Sequence, residues 1–220
     1  MNGVTLLRRL EMSDRFHSFE ELCDVYIEGN DFAVVTRFVP GSEIVILAPH
    51  GGTIEYQTTE LAEAVAGGKY SFYSFIGLVD RKRAKDLHIT SHRFFEVRMD
   101  DLLSRSRYAL AIHGRKDTQT LDGMGQLDDK DTIYLGGLDT RFIELLDEEL
   151  RGAGFSTRLS GHAFPARNPV NLCNRCQSGR GAQLELPLSL RHAFANSASM
   201  TSQFVVATQN AIVRRIGSKQ

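Results

Sequence analysis

Residues 43–52 read EIVILAPHGG. The run is apolar, rich in β-branched side chains and closed by Pro49 and two glycines, the pattern of a strand buried on both faces of a sheet. Such a strand delivers His50 at its carboxyl end. Downstream, TTELAEAVAGG (58–68) predicts a helix with threonine at its cap, acid early and glycine at its stop. YSFYSFIGL (70–78) predicts the next strand, followed by the charged segment DRKRAKDLH (80–88) and a short helix over VRMDDLLSRS (97–106). YALAIHGRKD (108–117) repeats the first theme, a buried strand ending in His113 and then glycine. Further strands are expected over 132–136, 155–160 and 182–188, with helices over 138–154 and 204–216. Strands alternating with helices specify an α/β fold with an open, mainly parallel mixed sheet and helices on both faces. In such sheets the ligand crevice lies beyond the carboxyl ends of the strands.

The 220 residues are 42% hydrophobic and 24% charged, a globular composition in which roughly 70% of the chain's surface can be buried. No repeat or proline-rich linker divides the sequence. A single domain over 1–220 is expected, with residues 1–30 peripheral. The formal net charge of -1 excludes the basic footprint of sequence-independent nucleic-acid binding. No run of about 18 apolar residues is present, so no membrane span is expected. Charge interrupts the first ten residues, so no signal-peptide core is expected there and synthesis in the cytoplasm follows. Cys23, Cys173 and Cys176 are too few, and odd in number, for a disulfide framework. Of the 26 basic residues, 20 are Arg, the cation whose planar fork matches carboxylates bidentately.

His50 and His113 both sit where an apolar strand gives way to a glycine-containing turn, which puts both imidazoles at one rim of the sheet. A catalytic zinc takes three side-chain ligands at about 2 Å and leaves a position for water. His50, Glu55 and His113 would supply that set if Gly51 and Gly52 let the loop fold back. Alternatively, His113 is a core imidazole bonded to backbone and Glu55 a solvated carboxylate leading the next helix. Cys173-Asn-Arg-Cys176 has redox spacing, but the following segment reads as loop then strand and no second pair accompanies it, so two ordinary thiols are expected rather than a thiol oxidoreductase or structural zinc site.

Four blocks in order, APHGGTIE, LHITSHRF, ALAIHGRKD and VNLCNRCQSGRGAQLELP, resemble the motifs of the phage-type poly-γ-glutamate hydrolases, over roughly residues 30–195. The resemblance implies a fold like that of the zinc carboxypeptidases, one zinc ion per chain, and His50, Glu55 and His113 as its ligands. It further implies that Glu185 in GAQLELP assists the water. A carboxylate flanked by Leu184 and Leu186 on a buried-looking strand is costly unless paired or functional. The implied substrate is polyanionic polyglutamate, to be held by Arg115 beyond His113 and by Asn174 and Arg175 in the CNRC segment. In zinc carboxypeptidases an Asn-Arg pair precedes the last histidine ligand, whereas here it follows His113. His88 is expected as a wall of the site. A monomer is expected, without nucleic-acid or membrane partners, and the phage-type resemblance allows release by host lysis. The competing readings are a carboxylate-binding domain without turnover and a zinc amidohydrolase for another γ-linked amide.

Overall fold

The computed structural model describes residues 14–121 and 125–218. In chain order the elements are α1 (Phe19–Cys23), β1 (Phe32–Arg37), β2 (Ile44–Gly52), α2 (Thr58–Ala66), β3 (Ser71–Gly77), α3 (Val97–Arg105), β4 (Tyr108–Arg115), β5 (Thr118–Leu121), β6 (Gly125–Asp128), β7 (Thr132–Gly137), α4 (Thr140–Gly152), β8 (Ser156–Arg158), β9 (Ala182–Pro187), α5 (Leu188–Asn196) and α6 (Ala198–Gly217). Two short 3-10 turns lie at Ala84–Leu87 and Leu172–Arg175.

Seven strands form one sheet in the order β1-β3-β2-β4-β9-β7-β8. β2 runs parallel to both β3 and β4, β4 to β9, and β7 to β8. β1 on β3 and β7 on β9 are antiparallel. The expected mixed, mainly parallel α/β sheet is therefore present. Strand alternation divides the core in two. Ile44, Ile46 and Ala48 of β2 face a layer holding Leu61 of α2, Phe142 and Leu146 of α4, Phe194 of α5 and Phe204 of α6. Val45 and Leu47 face the opposite layer, with Leu22 of α1, Met99 and Leu103 of α3, and Leu172. Burial on both faces explains the unbroken apolar run that β2 shows in sequence.

Several local expectations are corrected. Thr58 is the first residue of α2 rather than its cap; the cap is Gln57, at φ 72°, and Thr58 Oγ1 instead donates to the Glu55 carbonyl at 2.8 Å. α6 starts at Ala198, capped by the Ser197 side chain, and is longer than residues 204–216. Residues 14–30, expected at the periphery, bury Phe16, Leu22 and Tyr26 against the second core layer; residues 1–13 lie outside the described part.

Candidate metal centre

β2 and β4 are parallel neighbours, so both end at the same rim of the sheet. Strict alternation would send His50 to the side of Ile46 and Ala48. The β2–β3 register shifts between Ala48 and Gly51, and the His50 ring lies 4.2 Å from that of His88 and 6.3 Å from that of Phe94 of the other layer. An irregularity of this kind re-aims a strand-end side chain. The next two residues cannot carry a Cβ. At Gly51 it would stand 1.9 Å from Thr59 Oγ1, and at Gly52, whose φ is +64°, 2.4 Å from the Gly77 carbonyl oxygen. The chain then reverses, with the Glu55 N–H donating to the His50 carbonyl at 2.8 Å. The five-residue spacing thus brings the two side chains together.

His50 Nδ1 lies 3.0 Å from Glu55 Oε1 and 3.3 Å from His113 Nδ1, and His113 Nδ1 lies 3.8 Å from Glu55 Oε2. His50 and His113 are buried and Glu55 nearly so. One ligand atom from each of the three residues falls within 4.8 Å of the other two, a spacing that suits donors about 2 Å from a shared tetrahedral ion. The hydrogen bonding points the same way. His50 Nε2 donates to the Ile89 carbonyl at 2.9 Å, leaving Nδ1 of the neutral ring as a bare acceptor. That acceptor faces a carboxylate oxygen and a second imidazole nitrogen, so the cluster needs a proton or a cation between its members. Burial alone would lower the His50 pKa, but the Glu55 carboxylate outweighs it and the pKa is raised. For Glu55 burial acts upward, but His50, followed by His113 and His88, outweighs it and brings the carboxyl down to about 2. Burial takes His113 down to about 3, keeping it a neutral potential ligand.

Glu185 is buried in β9, in register with His113. Gln183 Nε2 donates to its Oε1 at 3.0 Å. Burial, reinforced by the Glu55 charge, holds the Glu185 carboxyl well above the usual range despite Arg115 and Arg191. Titratable groups with strongly displaced and opposed pKa values mark a site where charge is managed for chemistry. His88 borders the cluster, its Nε2 4.0 Å from Glu55 Oε1 and its Nδ1 2.7 Å from Asp14 Oδ1. Asp14 also accepts from the Thr90 N–H and hydroxyl, which pins the 88–90 segment whose Ile89 carbonyl orients His50.

Three expected substrate contacts are placed otherwise. Arg115 borders the cleft, but its guanidinium is fully buried over the Tyr134 ring and donates to the carbonyls of Lys116, Asp129 and Thr132. Asn174 is a buried buckle, accepting from Leu138 and Gly181 N–H and donating to the carbonyls of Ala166 and Asn168. Arg175 packs over Phe95, donates to the Phe94 carbonyl at 2.6 Å and pairs with Asp100. Backbone carbonyls left without partners in tight loops attract such side chains, and sequence spacing does not reveal that. Cys173 and Cys176 are buried free thiols, with burial pushing Cys173 up. Sequence reading missed Asp14 and Arg191. The one available signal for Arg191 is a cation in the first turn of α5, where the helix dipole disfavours it.

A cleft of about 1250 Å³ opens at this rim, bordered by Glu55, His88 and Arg191. Arg81, Lys85 and Lys116 line it from exposed positions. No helix among the described residues is long and apolar enough to cross a membrane.

Residues 16–212 match the family described as poly-gamma-glutamate hydrolase. The chain belongs to that family, and it is a hydrolase. It is 31% identical to Bacillus subtilis (strain 168) YndL over 208 residues, 94% of this chain and 76% of YndL. It is 32% identical to the prophage-derived YoqZ of the same organism, covering 91% of this chain and 68% of YoqZ. A bacteriophage poly-gamma-glutamate hydrolase superposes with a TM-score of 0.84 at 28% identity, over 94% of this chain and all of the phage enzyme. Zinc-free YndL superposes with a TM-score of 0.73 at 28% identity, over 94% and 98% of the two chains. An N-formylglutamate amidohydrolase from Ralstonia eutropha JMP134, 12% identical with a TM-score of 0.55, shares the fold alone.

Proposed function

We propose that this family member cleaves γ-glutamyl amide bonds of poly-γ-glutamate at a zinc ion held by His50, Glu55 and His113. The observation that carries the reading is the convergence of two imidazole nitrogens and a carboxylate, bare acceptors in a buried cluster beside an open cleft. When bound, zinc supplies the Lewis acid that polarises the amide carbonyl and makes water nucleophilic at neutral pH.

The remaining work falls to the chain's own groups. Glu185, held at Oε1 by Gln183, would be favoured as a carboxylate once a cation at the neighbouring cluster offsets the Glu55 charge that helps raise it. It then takes the proton from the attacking water on its other oxygen and returns it to the departing amine. The water oxygen bonds to the carbonyl carbon as the carbonyl π electrons move to oxygen, the C–N bond then breaks as that π bond re-forms and the amine takes the proton, and no covalent intermediate with the chain is formed. Burial of the Glu185 carboxyl suits it to hold that proton between the two transfers. Since Arg115 and Arg175 are committed to backbone, the α-carboxylates of the polymer are left to Arg81, Lys85 and Lys116 along the cleft, with His88 as its inner wall. Within the charged 80–88 segment, Arg83 is turned to Asp31 and Asp80, whereas Arg81 and Lys85 border the cleft. An overall charge of -1 is compatible with a polyanionic substrate because the attraction is local.

Incubation of the purified protein with poly-γ-glutamate, with and without a chelator, tests the reading. Shortening of the polymer that stops on chelation and returns with zinc is expected. Binding without shortening in the presence of zinc would replace the enzyme reading by a carboxylate-binding domain.

A further inference from the structure

Arg191 lies in the first turn of α5 with 4% of its surface exposed, and its guanidinium is shared among three segments. Nε donates to the Leu186 carbonyl at 3.1 Å, Nη1 to the Tyr56 carbonyl at 2.6 Å and Nη2 to the Arg115 carbonyl at 3.2 Å. Those acceptors follow, within two residues, Glu185, Glu55 and His113 respectively. Gly114 completes the arrangement. Its N–H donates to Glu55 Oε2 at 2.7 Å, while a Cβ on it would stand 2.5 Å from Arg191 Cζ. The guanidinium therefore rests directly on the backbone that carries the His113 and Glu55 contacts, and only glycine leaves room for it.

We propose that Arg191 is a positioning residue that locks the loop bearing Glu55 and the ends of β4 and β9 bearing His113 and Glu185 into one frame. The proposal rests on the zinc reading above and adds to it the residue that sets the separation of two ligands and the proton-carrying carboxylate. A guanidinium can do this because its donors form a rigid planar fork; lysine, a point charge on a flexible stem, cannot span three acceptors. Arg191 also brings a positive charge that interacts with two carboxyls of the site, Glu55 and Glu185. Outer-shell partners of this kind govern metal affinity by about 10–100-fold.

Zinc affinity by competition with a chromogenic chelator, measured on the full chain, is the primary readout. Arg191→Met and Arg191→Lys are expected to weaken zinc binding by about 10–100-fold, while far-UV circular dichroism of the metal-free proteins stays that of the parent. Gly114→Ala, which keeps the arginine but displaces its guanidinium, is expected to weaken zinc binding in the same direction. Added methylguanidinium is expected to restore part of the affinity lost in Arg191→Ala. Parent-like zinc affinity in Arg191→Met overturns the clamp and leaves the zinc reading standing. Unfolding of both Arg191 variants with parent-like zinc affinity in Gly114→Ala also overturns it, because the arginine would then be a general prop of the fold. A parent protein that binds no zinc overturns both readings at once.

Discussion

Two regions of this molecule look alike in sequence and do opposite work. The ends of β2 and β4 offer His50, Glu55 and His113 on glycine-rich turns; the 171–176 segment offers Asn174 and Arg175 between two cysteines. The first group meets beside a cleft with its acceptor atoms pointed at one another and unsatisfied by backbone donors, apart from the Gly114 N–H on Glu55. In the second, both amide atoms of Asn174 are fully engaged and Arg175 is packed over an aromatic ring. The distinction is whether a polar side chain has spent its hydrogen-bonding capacity on the fold. Side chains that have done so set the geometry, and those that have not are available for ligands.

The sharpest way to break the comparison is to remove a member of the first group. His113→Ala is expected to abolish stoichiometric zinc binding and to lower the rate of poly-γ-glutamate cleavage by well over about 10²-fold, since a lost ligand costs more than a lost outer-shell partner. Metal analysis of the purified variant and the time course of polymer length check both parts. Full cleavage by a metal-free His113→Ala protein would put the chemistry elsewhere.

Glu185→Gln keeps the shape of the buried carboxyl and removes its ability to carry a proton. A fall in kcat of about 10²–10⁴-fold, the usual worth of a positioned proton-transfer group, is expected with zinc content unchanged. That separation of metal binding from turnover distinguishes Glu185 from Glu55, whose replacement by glutamine should impair both. A Glu185→Gln enzyme that turns over like its parent would reduce Glu185 to a buried partner of Gln183.

Asn174→Ala examines the other region. It leaves the Gly181 N–H and the Ala166 carbonyl without their partner, and takes one of two partners from the Leu138 N–H and the Asn168 carbonyl, which keep the Gly181 carbonyl and the Asn171 N–H. A cost of at least about 2 kcal/mol follows from stranding buried polar groups, or about 4–8 °C in Tm for a chain of this length. The activity of the folded fraction at low temperature should be that of the parent. A large rise in KM with an unchanged Tm would return Asn174 to the substrate site.

The same distinction explains what could be read from sequence. β2 and β4 were legible because burial on both faces leaves an unbroken apolar run, and His50 and His113 because each ends such a run beside glycine. β1 was not, since an edge strand with only Phe32 buried carries a weak pattern. Thr58 reads as a cap in the sequence, but Gln57, in the left-handed conformation after the tight Glu55 loop, takes that position. Asp14 and Arg191 act on the site through partners 74 to 76 and 76 to 135 residues away, and no local spacing encodes contacts of that range. Arg115 ends β4 at the rim, but whether its guanidinium points outward or into the backbone is decided by Asp129 and Tyr134.

The smallest effect concerns the cations that have not been spent on the fold. Arg81 and Lys85 are exposed along the cleft, so each contributes only the roughly 0.2–1 kcal/mol of a solvated charge pair. Arg81→Gln with Lys85→Gln is therefore expected to raise KM for long poly-γ-glutamate by a few-fold, with kcat and Tm unchanged. The attraction is screened over about 10 Å at 0.1 M salt, so the parent's KM should climb with ionic strength and the double variant's should climb less steeply. Identical salt dependence in the two proteins would assign recognition of the polymer to other groups of the cleft, with Lys116 the first to be replaced.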